Sequence, residues 1–366
     1  MGYWGYSFRT PLRWQIFRHP ETMKRKRTYI PPDTDNTHIR PTPGPRPVAA
    51  YSGPVDAVVL AGTHETKRHL IGGRNKAFLV LDGRPMVERV VEALLAAQSI
   101  DRVFVVGPVA ELNETLGGLL SPRVRVVPQA GKIIANAWAG FHASQRVRGS
   151  GPQENPDRPL LYVTADLPLI RPAAVDDFVA RCAEVDRRSE NSPGALLAGV
   201  AEEESLRMYY PREDRPGMVR PYVHARSGLF RLANIYIARP LRMPHLEPLE
   251  AGFSFRKAKD WKNVLALGWA FFHQRGGWRA ARGVLGLWLA LVASRRPGRL
   301  YRALRRRNTE QGVEAIGTLL LGGPVKVVVT PYGGLSIDID DEDDLRILES
   351  RLAEWSRAPH EEARPA

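Results

Sequence analysis

Four cationic side chains, Lys67, Arg68, Arg74 and Lys76, crowd the stretch that follows Leu60-Ala61-Gly62. A strand that ends in glycine and opens into a basic loop presents backbone N–H groups and positive charge to a phosphate. Carboxylates that could oppose it stand far along the chain. Asp166 follows the apolar run Leu160 to Thr164 almost directly, so its carboxylate projects into the cleft where that strand ends. Asp338 lies just after Gly333-Gly334, in the alternation Ser336-Ile337-Asp338-Ile339-Asp340. Period two puts Asp338 and Asp340 on one side of a strand and the isoleucines on the other. Such a set suits a triphosphate held with Mg2+. Charge builds on the bridging oxygen as pyrophosphate leaves, and magnesium takes carboxylates plus phosphate oxygens while keeping several waters. The competing reading of Asp166 is an N-cap of the next helix. Asp341 to Asp344 read as acids of a first helical turn, where they favour the macrodipole.

The elements that must position these residues alternate. Ala57 to Leu60 is a buried strand. Ala77 to Leu81 re-enters the core and reverses at Asp82-Gly83. Met86 to Gln98 carries Met86, Val87, Val90, Val91, Leu94 and Leu95 at helical spacing, with Glu88, Arg89 and Glu92 opposite. Pro85 sits where a first-turn proline is tolerated. Arg102 to Val106 and Val124 to Val127 are short apolar runs of the kind a parallel sheet buries. Helices are expected over 133–146 and 172–182, with strands over 160–164, 194–200 and 326–330. Glu202-Glu203-Glu204 reads as a solvated charge run. Residues 209–237 read as irregular and antiparallel, with Asn234 to Ile237 entering a strand. A closing amphipathic helix runs to Trp355. Strands alternating with helices predict an α/β fold, a doubly wound and mostly parallel Rossmann-like sheet. In such sheets ligands sit at the carboxyl ends of strands. The Gly62 loop, the Gln129-Ala130-Gly131-Lys132 segment and Asp166 all fall there.

The totals restrict the class. Apolar residues make up 43% of 366, enough for a substantial core. A lone cysteine, Cys182, excludes an internal disulfide and a cysteine-rich metal site, and points to a reducing, cytoplasmic compartment. Net charge is +14, and the segment Arg256 to Arg307 alone holds fourteen Lys and Arg against one acid, Asp260. That concentration calls for an anionic partner: a nucleotide, a phospholipid surface or nucleic acid. The longest apolar run there, Val284 to Ala293, is too short for a spanning helix. No apolar stretch follows the charges near residue 1, so no signal peptide is expected.

Five motifs occur in an order that resembles the MobA-like nucleotidyltransferases, within the nucleotide-diphospho-sugar transferase superfamily. They are Leu60-Ala61-Gly62 with its basic loop, Lys76-Ala77-Phe78-Leu79, Gly83-Arg84-Pro85-Met86-Val87, Thr164-Ala165-Asp166-Leu167-Pro168, and Ile337-Asp338-Ile339-Asp340 running on to Asp344-Leu345. The resemblance covers roughly 55–200 and 325–352. It implies transfer of NMP from an NTP to a phosphorylated acceptor (sugar, polyol or cofactor phosphate), with Mg2+ and release of pyrophosphate. It implies that Lys76 holds phosphate and leaving pyrophosphate, that Asp166 and Asp338 hold the metal, and that Leu60, Ala61 and Gly62 approach the nucleotide. Gln129, Gly131 and Lys132 would border the base, with Arg68 or Arg74 as the loop arginine. Arg220, Tyr222, Arg226 and Asn234 fall in the acceptor-side region. The family loop reads Leu-Ala-Gly-Gly-x-Gly-x-Arg-Met, whereas this chain has Thr63-His64-Glu65-Thr66 in place of the later glycines. His64 and His69 are read as loop surface, because this chemistry needs no histidine base.

The implied organisation is an extension over 1–52, a nucleotidyltransferase core over 53–255, a basic helical insert over 256–323, a last strand and helix over 324–356, and a tail over 357–366. Within the insert, Trp261, Trp269, Trp278 and Trp288 sit among leucine and arginine, and Arg295, Arg299, Arg302 and Arg306 share a helical face. Two readings stay open: a helical subdomain packed on the sheet, or a peripheral anchor at the inner face of the membrane. No nucleic-acid motif accompanies the charge, so sequence-specific nucleic acid is not expected. Two other classes remain beside the transferase. A GT-A-type glycosyltransferase using an NDP-sugar would show Asp-x-Asp where this chain has Ala165-Asp166-Leu167-Pro168. A catalytically silent nucleotide-binding or membrane-associated protein is suggested by the altered loop.

Overall fold

The computed structural model describes residues 51, 53–63, 70–149, 155, 157–189, 192–246, 277–296 and 298–357. Lys67, Arg68, His64 and His69 lie outside these residues, as do Trp261 and Trp269 and nearly all of 1–52 and of the tail.

The main sheet runs through β1 (Val55–Leu60), β6 (Ile100–Gly107), β7 (Val124–Pro128), β8 (Leu160–Thr164), β9 (Leu196–Glu202), β10 (Val223–His224), β11 (Leu229–Ala238) and β12 (Val325–Thr330). Between β1 and β6 lie two hairpins, β2 (Leu70–Ile71) with β3 (Arg74–Asn75), and β4 (Val80–Leu81) with β5 (Arg84–Pro85). The order across the sheet is β12-β9-β11-β8-β1-β6-β7, with β10 added beside β11. Neighbours are parallel except for β11, which is antiparallel to both β8 and β9. The carboxyl ends of β1, β7, β8, β9 and β12 therefore share one edge, and reversed β11 brings its start, Leu229 to Arg231, to that same edge.

The apolar runs read as expected. Val58, Val103, Val105 and Leu161 are fully buried because helices cover both faces of the sheet. One face packs α1 (Met86–Ala96) and α4 (Pro172–Arg188), and the other packs α3 (Ile133–Val147). Asp82 and Gly83 both have positive φ, 52° and 73°, which sets the tight β4–β5 turn. Short α2 (Val109–Leu116), not anticipated from the sequence, seats Leu112 and Leu116. Glu203 and Glu204 open a further short helix, α5 (Glu203–Leu206), rather than a plain charge run. In the basic region three helices follow, α6 (Gly277–Ala293), α7 (Arg299–Arg307) and α8 (Glu310–Leu321), before β12 and the closing α9 (Glu342–Arg357). Among the described residues no helix is long and apolar enough to cross a membrane.

A buried ion pair ties β11 to α4. Arg239, fully buried just past β11, donates to Asp186 Oδ2 at 2.7 Å, Gly194 O at 2.5 Å and Asp157 O at 2.8 Å. Asp186 also accepts from the Tyr51 hydroxyl and from Gly194 N. Removing one partner of such a pair leaves the other charge buried and uncompensated. Arg239→Met is expected to lower the unfolding free energy by about 3–5 kcal/mol in urea denaturation. The double variant Arg239→Met/Asp186→Leu should recover part of that loss, because it removes both charges together.

Candidate active site

The loop after β1 leaves the sheet with Ala61 N bonded to Val106 O at 2.9 Å. Gly62 passes against the first turn of α3, where a Cβ would lie 2.2 Å from Asn136 Nδ2. Any larger residue here would push the Asn136 amide out of its place, so close approach favours glycine. Asn136 is buried, and its Oδ1 accepts from Ala130 N at 2.8 Å. Gln129 Oε1 accepts from Thr63 N at 3.0 Å. Gly131 has φ +131°, and Lys132 stands at the N-cap position of α3 with no side-chain cap bond of its own. Gly62 and Thr63 thus meet Gln129, Ala130 and Asn136 at the carboxyl ends of β1 and β7, with Leu60 and Ala61 just before them and Gly131 and Lys132 just after Ala130. Arg74 is exposed on the β2–β3 hairpin.

Asn75 ties that hairpin to the loop. Its Nδ2 donates to Ala61 O at 2.9 Å, and its Oδ1 accepts from Ala77 N at 3.1 Å, capping the 3-10 turn Lys76–Phe78. The turn drives Lys76 inward, to 8% exposure. Its Nζ donates to Ile339 O and lies 3.3 Å from Asp340 Oδ1 and 3.8 Å from Asp166 Oδ2. Asp166, just past β8, does not cap α4: the N-cap position is Arg171. Asp166 Oδ1 is buried without a hydrogen-bond partner. Burial raises the Asp166 carboxyl above the ordinary carboxylate range. Lys76 and the neighbouring Thr164 hydroxyl oppose this rise, whereas Asp338 and Asp340 add to it.

The closing segment departs from the expected strand. Residues 337–340 belong to no ladder; they run between a 3-10 turn, Gly333–Ser336, and α9. Ile337 and Ile339 are buried as the alternation requires, but Asp338 is buried too, at 5% exposure. Its Oδ1 accepts from Arg231 at 3.0 Å, while Arg231 also donates to Ser336 O at 2.8 Å. Asp340 is the more open of the two, its side chain 36% exposed beside Lys76. Arg220 crosses the segment, donating to Asp338 O at 2.7 Å and Asp344 Oδ2 at 2.5 Å. Asp344 is a first-turn acid of α9, as expected, and is buried there. It accepts from Arg220 and from Asp340 N, while Asp341 Oδ1 accepts from Asp344 N.

Tyr222 meets the Tyr210 hydroxyl at 2.6 Å. Asn234 is buried on β11, where the register against β9 shifts between Leu232 and Tyr236. Arg226 is exposed, and its N donates to Asn308 O. The residues that sequence reasoning passed over are Asn75, Asn136, Arg231 and Asp340 as a site residue. For Asp340 the acidic alternation was itself the signal. For Arg231 there was none, since only antiparallel β11 brings it to this edge.

Lys76, Asp166, Asp338 and Asp340 thus converge from three distant segments. The donor set is hard oxygen, with one buried carboxylate oxygen unpartnered, which fits magnesium. Among the described residues no three acids, histidines or cysteines form a protein-only cage. Magnesium ordinarily takes one or two carboxylates and completes its shell with phosphate oxygens and water. With the glycine loop alongside, the arrangement can hold a polyphosphate and neutralise charge on it.

Residues 57–232 match the model of the MobA-like NTP transferase domain. A hypothetical transferase from Thermus thermophilus is 25% identical, with a TM-score of 0.52, the match covering 80% of this chain and 99% of that one. Two other solved structures match at 11% identity. One is the 4-diphosphocytidyl-2C-methyl-D-erythritol synthase of Anaerococcus prevotii, with a TM-score of 0.41 and coverage of 82% and 96%. The other is a CMP:2-keto-3-deoxy-manno-octonic acid synthetase complexed with CTP, with a TM-score of 0.43 and coverage of 82% and 99%. No curated protein matches the sequence.

Proposed function

We propose that this chain, whose residues 57–232 match the model of the MobA-like NTP transferase domain, moves NMP from an NTP to a phosphorylated small-molecule acceptor and releases pyrophosphate. The core would comprise 53–255 with 324–356, and the basic helical segment would be an insert between them. The observation that carries the reading is the position of Lys76. Its ammonium lies within 4 Å of Asp166 and Asp340, and neighbouring Asn75 ties its turn to the loop before Gly62.

An acceptor phosphate oxygen attacks the α-phosphorus in line. A new P–O bond forms as the bond to the bridging oxygen breaks, and the electron pair leaves with pyrophosphate. The attacking oxygen is already anionic, so no general base is needed. Catalysis is then positioning and charge neutralisation. Backbone at Gly62 would approach the phosphates, with Ala61 positioning it through its bonds to Val106 O and Asn75; Lys76 would face the leaving pyrophosphate, and Arg74 would add positive charge at the rim. Asp166 and Asp338, with Asp340, would hold Mg2+, which when bound supplies the Lewis acidity that offsets charge on the transferring group. Arg220 and Tyr222 flank the acidic segment on the side left for the acceptor, and buried Asn234 would act behind them.

The test is direct. Purified full-length protein is incubated with each labelled NTP, Mg2+ and a panel of sugar, polyol and cofactor phosphates, with NDP-sugars in a parallel arm. One NTP–acceptor pairing should release pyrophosphate and form a labelled NMP adduct. Nucleotide binding without pyrophosphate from any pairing, or turnover only in the NDP-sugar arm, would sink the reading.

A further inference from the structure

The outer face of α6 carries a stripe that the nucleotide site does not use. Trp278, Arg282, Leu285, Leu289 and Val292 recur at spacings of four and three, so they line one face of the helix, and Arg296 follows just past its end. All six are exposed, Trp278 at 66% and Leu285 at 44%. The opposite face is the packed one. Ala280 and Ala290 are buried, and Gly283 lies so close to α8 that a Cβ would be 2.1 Å from Ile316 Cδ1. Next in the chain, α7 exposes Arg299, Leu300, Arg302, Arg306 and Arg307, with Leu300 at 68%. Between Gly277 and Arg307 the sequence holds nine arginines and no acid.

This pair of helices is fixed beside β10 through α7 and Asn308. Tyr301 meets His224 Nδ1 at 2.8 Å, Arg305 donates to Ala225 O at 2.7 Å, and Asn308 donates to His224 O at 3.1 Å. His224 ends β10, which directly follows Arg220 and Tyr222. Whatever α6 and α7 touch is held on the Arg220–Tyr222 side.

We propose that α6 and α7 form a docking surface for the face of an anionic lipid bilayer. A helix too short to span, with an aliphatic stripe ended by tryptophan and arginine, lies in the plane of the interface. Its leucines enter the acyl boundary and its arginines meet the head groups. Charge complementarity selects anionic lipid. The leucine stripe argues against nucleic acid, whose phosphates would engage the arginines and leave Leu285 and Leu289 in water. The docking does not depend on the nucleotidyltransferase reading, and its test involves no turnover.

The full chain is floated with phosphatidylcholine vesicles, with and without phosphatidylglycerol, at low and high salt. Association is expected with the anionic vesicles alone, and high salt should weaken it. Leu285→Asp/Leu289→Asp and, separately, Arg299→Glu/Arg302→Glu should each reduce binding about tenfold or more, since each removes one of the two contributions. These positions are on the surface, so the melting temperature should stay at the wild-type value. In a parallel arm, RNA and duplex DNA should bind more weakly than vesicles. The proposal is overturned if the wild type ignores anionic vesicles, if both double variants float like the wild type, or if nucleic acid binds more tightly than vesicles.

Discussion

Lys76→Met should reduce pyrophosphate release by about 10²–10³-fold, the order seen when one preorganised donor to developing charge is removed. Methionine keeps the length and apolar stem of lysine in a position only 8% exposed, so the change isolates the ammonium. That ammonium lies 3.8 Å from Asp166 Oδ2 and also touches Asp340 and Ile339 O. Its loss should appear mainly in kcat, because the charge it meets grows as the bridging bond breaks. Lys76→Arg should not restore the rate, since a planar guanidinium does not fit a space shaped for one point charge. The variant also has a pH signature. Without Lys76 the Asp166 carboxyl, already raised by burial, rises further. A carboxyl whose folded value lies above its unfolded one gives stability at low pH that is lost as pH rises through the folded value. Thermal melts of Lys76→Met should therefore match the wild type in acid and fall below it toward neutral pH. An active variant, or one that melts lower at every pH, would remove Lys76 from the chemistry and leave it a packing role.

Where the fold was legible, a single local pattern decided the outcome. Val103 to Val106 is a continuous apolar run because both faces of its strand are covered, and such a run has one reading. Asp82-Gly83 forces its own turn. By contrast, α2 places only Leu112 and Leu116 inward, too few to establish a helical period. The strand β11 begins five residues before the expected Asn234, since polar Arg231 interrupts its apolar pattern for the sake of Asp338. The same contrast runs through the site. Asp166 could be placed from sequence because it directly follows a strand whose end is easy to locate, whereas Lys76, in a loop, is placed only by the resemblance of its motif. The closing acids could not be sorted, because the alternation from Ser336 to Asp340 imitates a strand while the backbone pairs with none. Which acid is neutralised depends on Arg231, more than a hundred residues earlier in the chain, and on the antiparallel direction of its strand. No local signal encodes that.

Asp166→Asn should abolish pyrophosphate release, by about 10³-fold or more, without unfolding the protein. Asparagine keeps the shape of the side chain and removes its charge. In the folded chain that charge is disfavoured by burial, and Asp338 and Asp340 disfavour it further, outweighing the help of Lys76. The ionised carboxylate is thus held against stability, as expected of a group kept for a ligand absent from the free protein. Asparagine cannot ionise, so its melting temperature should equal or exceed that of the wild type at neutral pH. The difference should grow as pH rises through the raised Asp166 value, because only the wild type then carries the penalty. Mg2+ with NTP should raise the melting temperature of the wild type by mass action and leave the variant nearly unmoved. Asp338→Asn supplies the contrast. There the lost charge strands Arg231, which is 8% exposed, so stability should fall even before any metal is added. If Asp166→Asn instead keeps its activity, the metal assignment fails. If it melts far below the wild type at neutral pH, Asp166 is a structural partner of Lys76 and the site must be sought elsewhere along the edge.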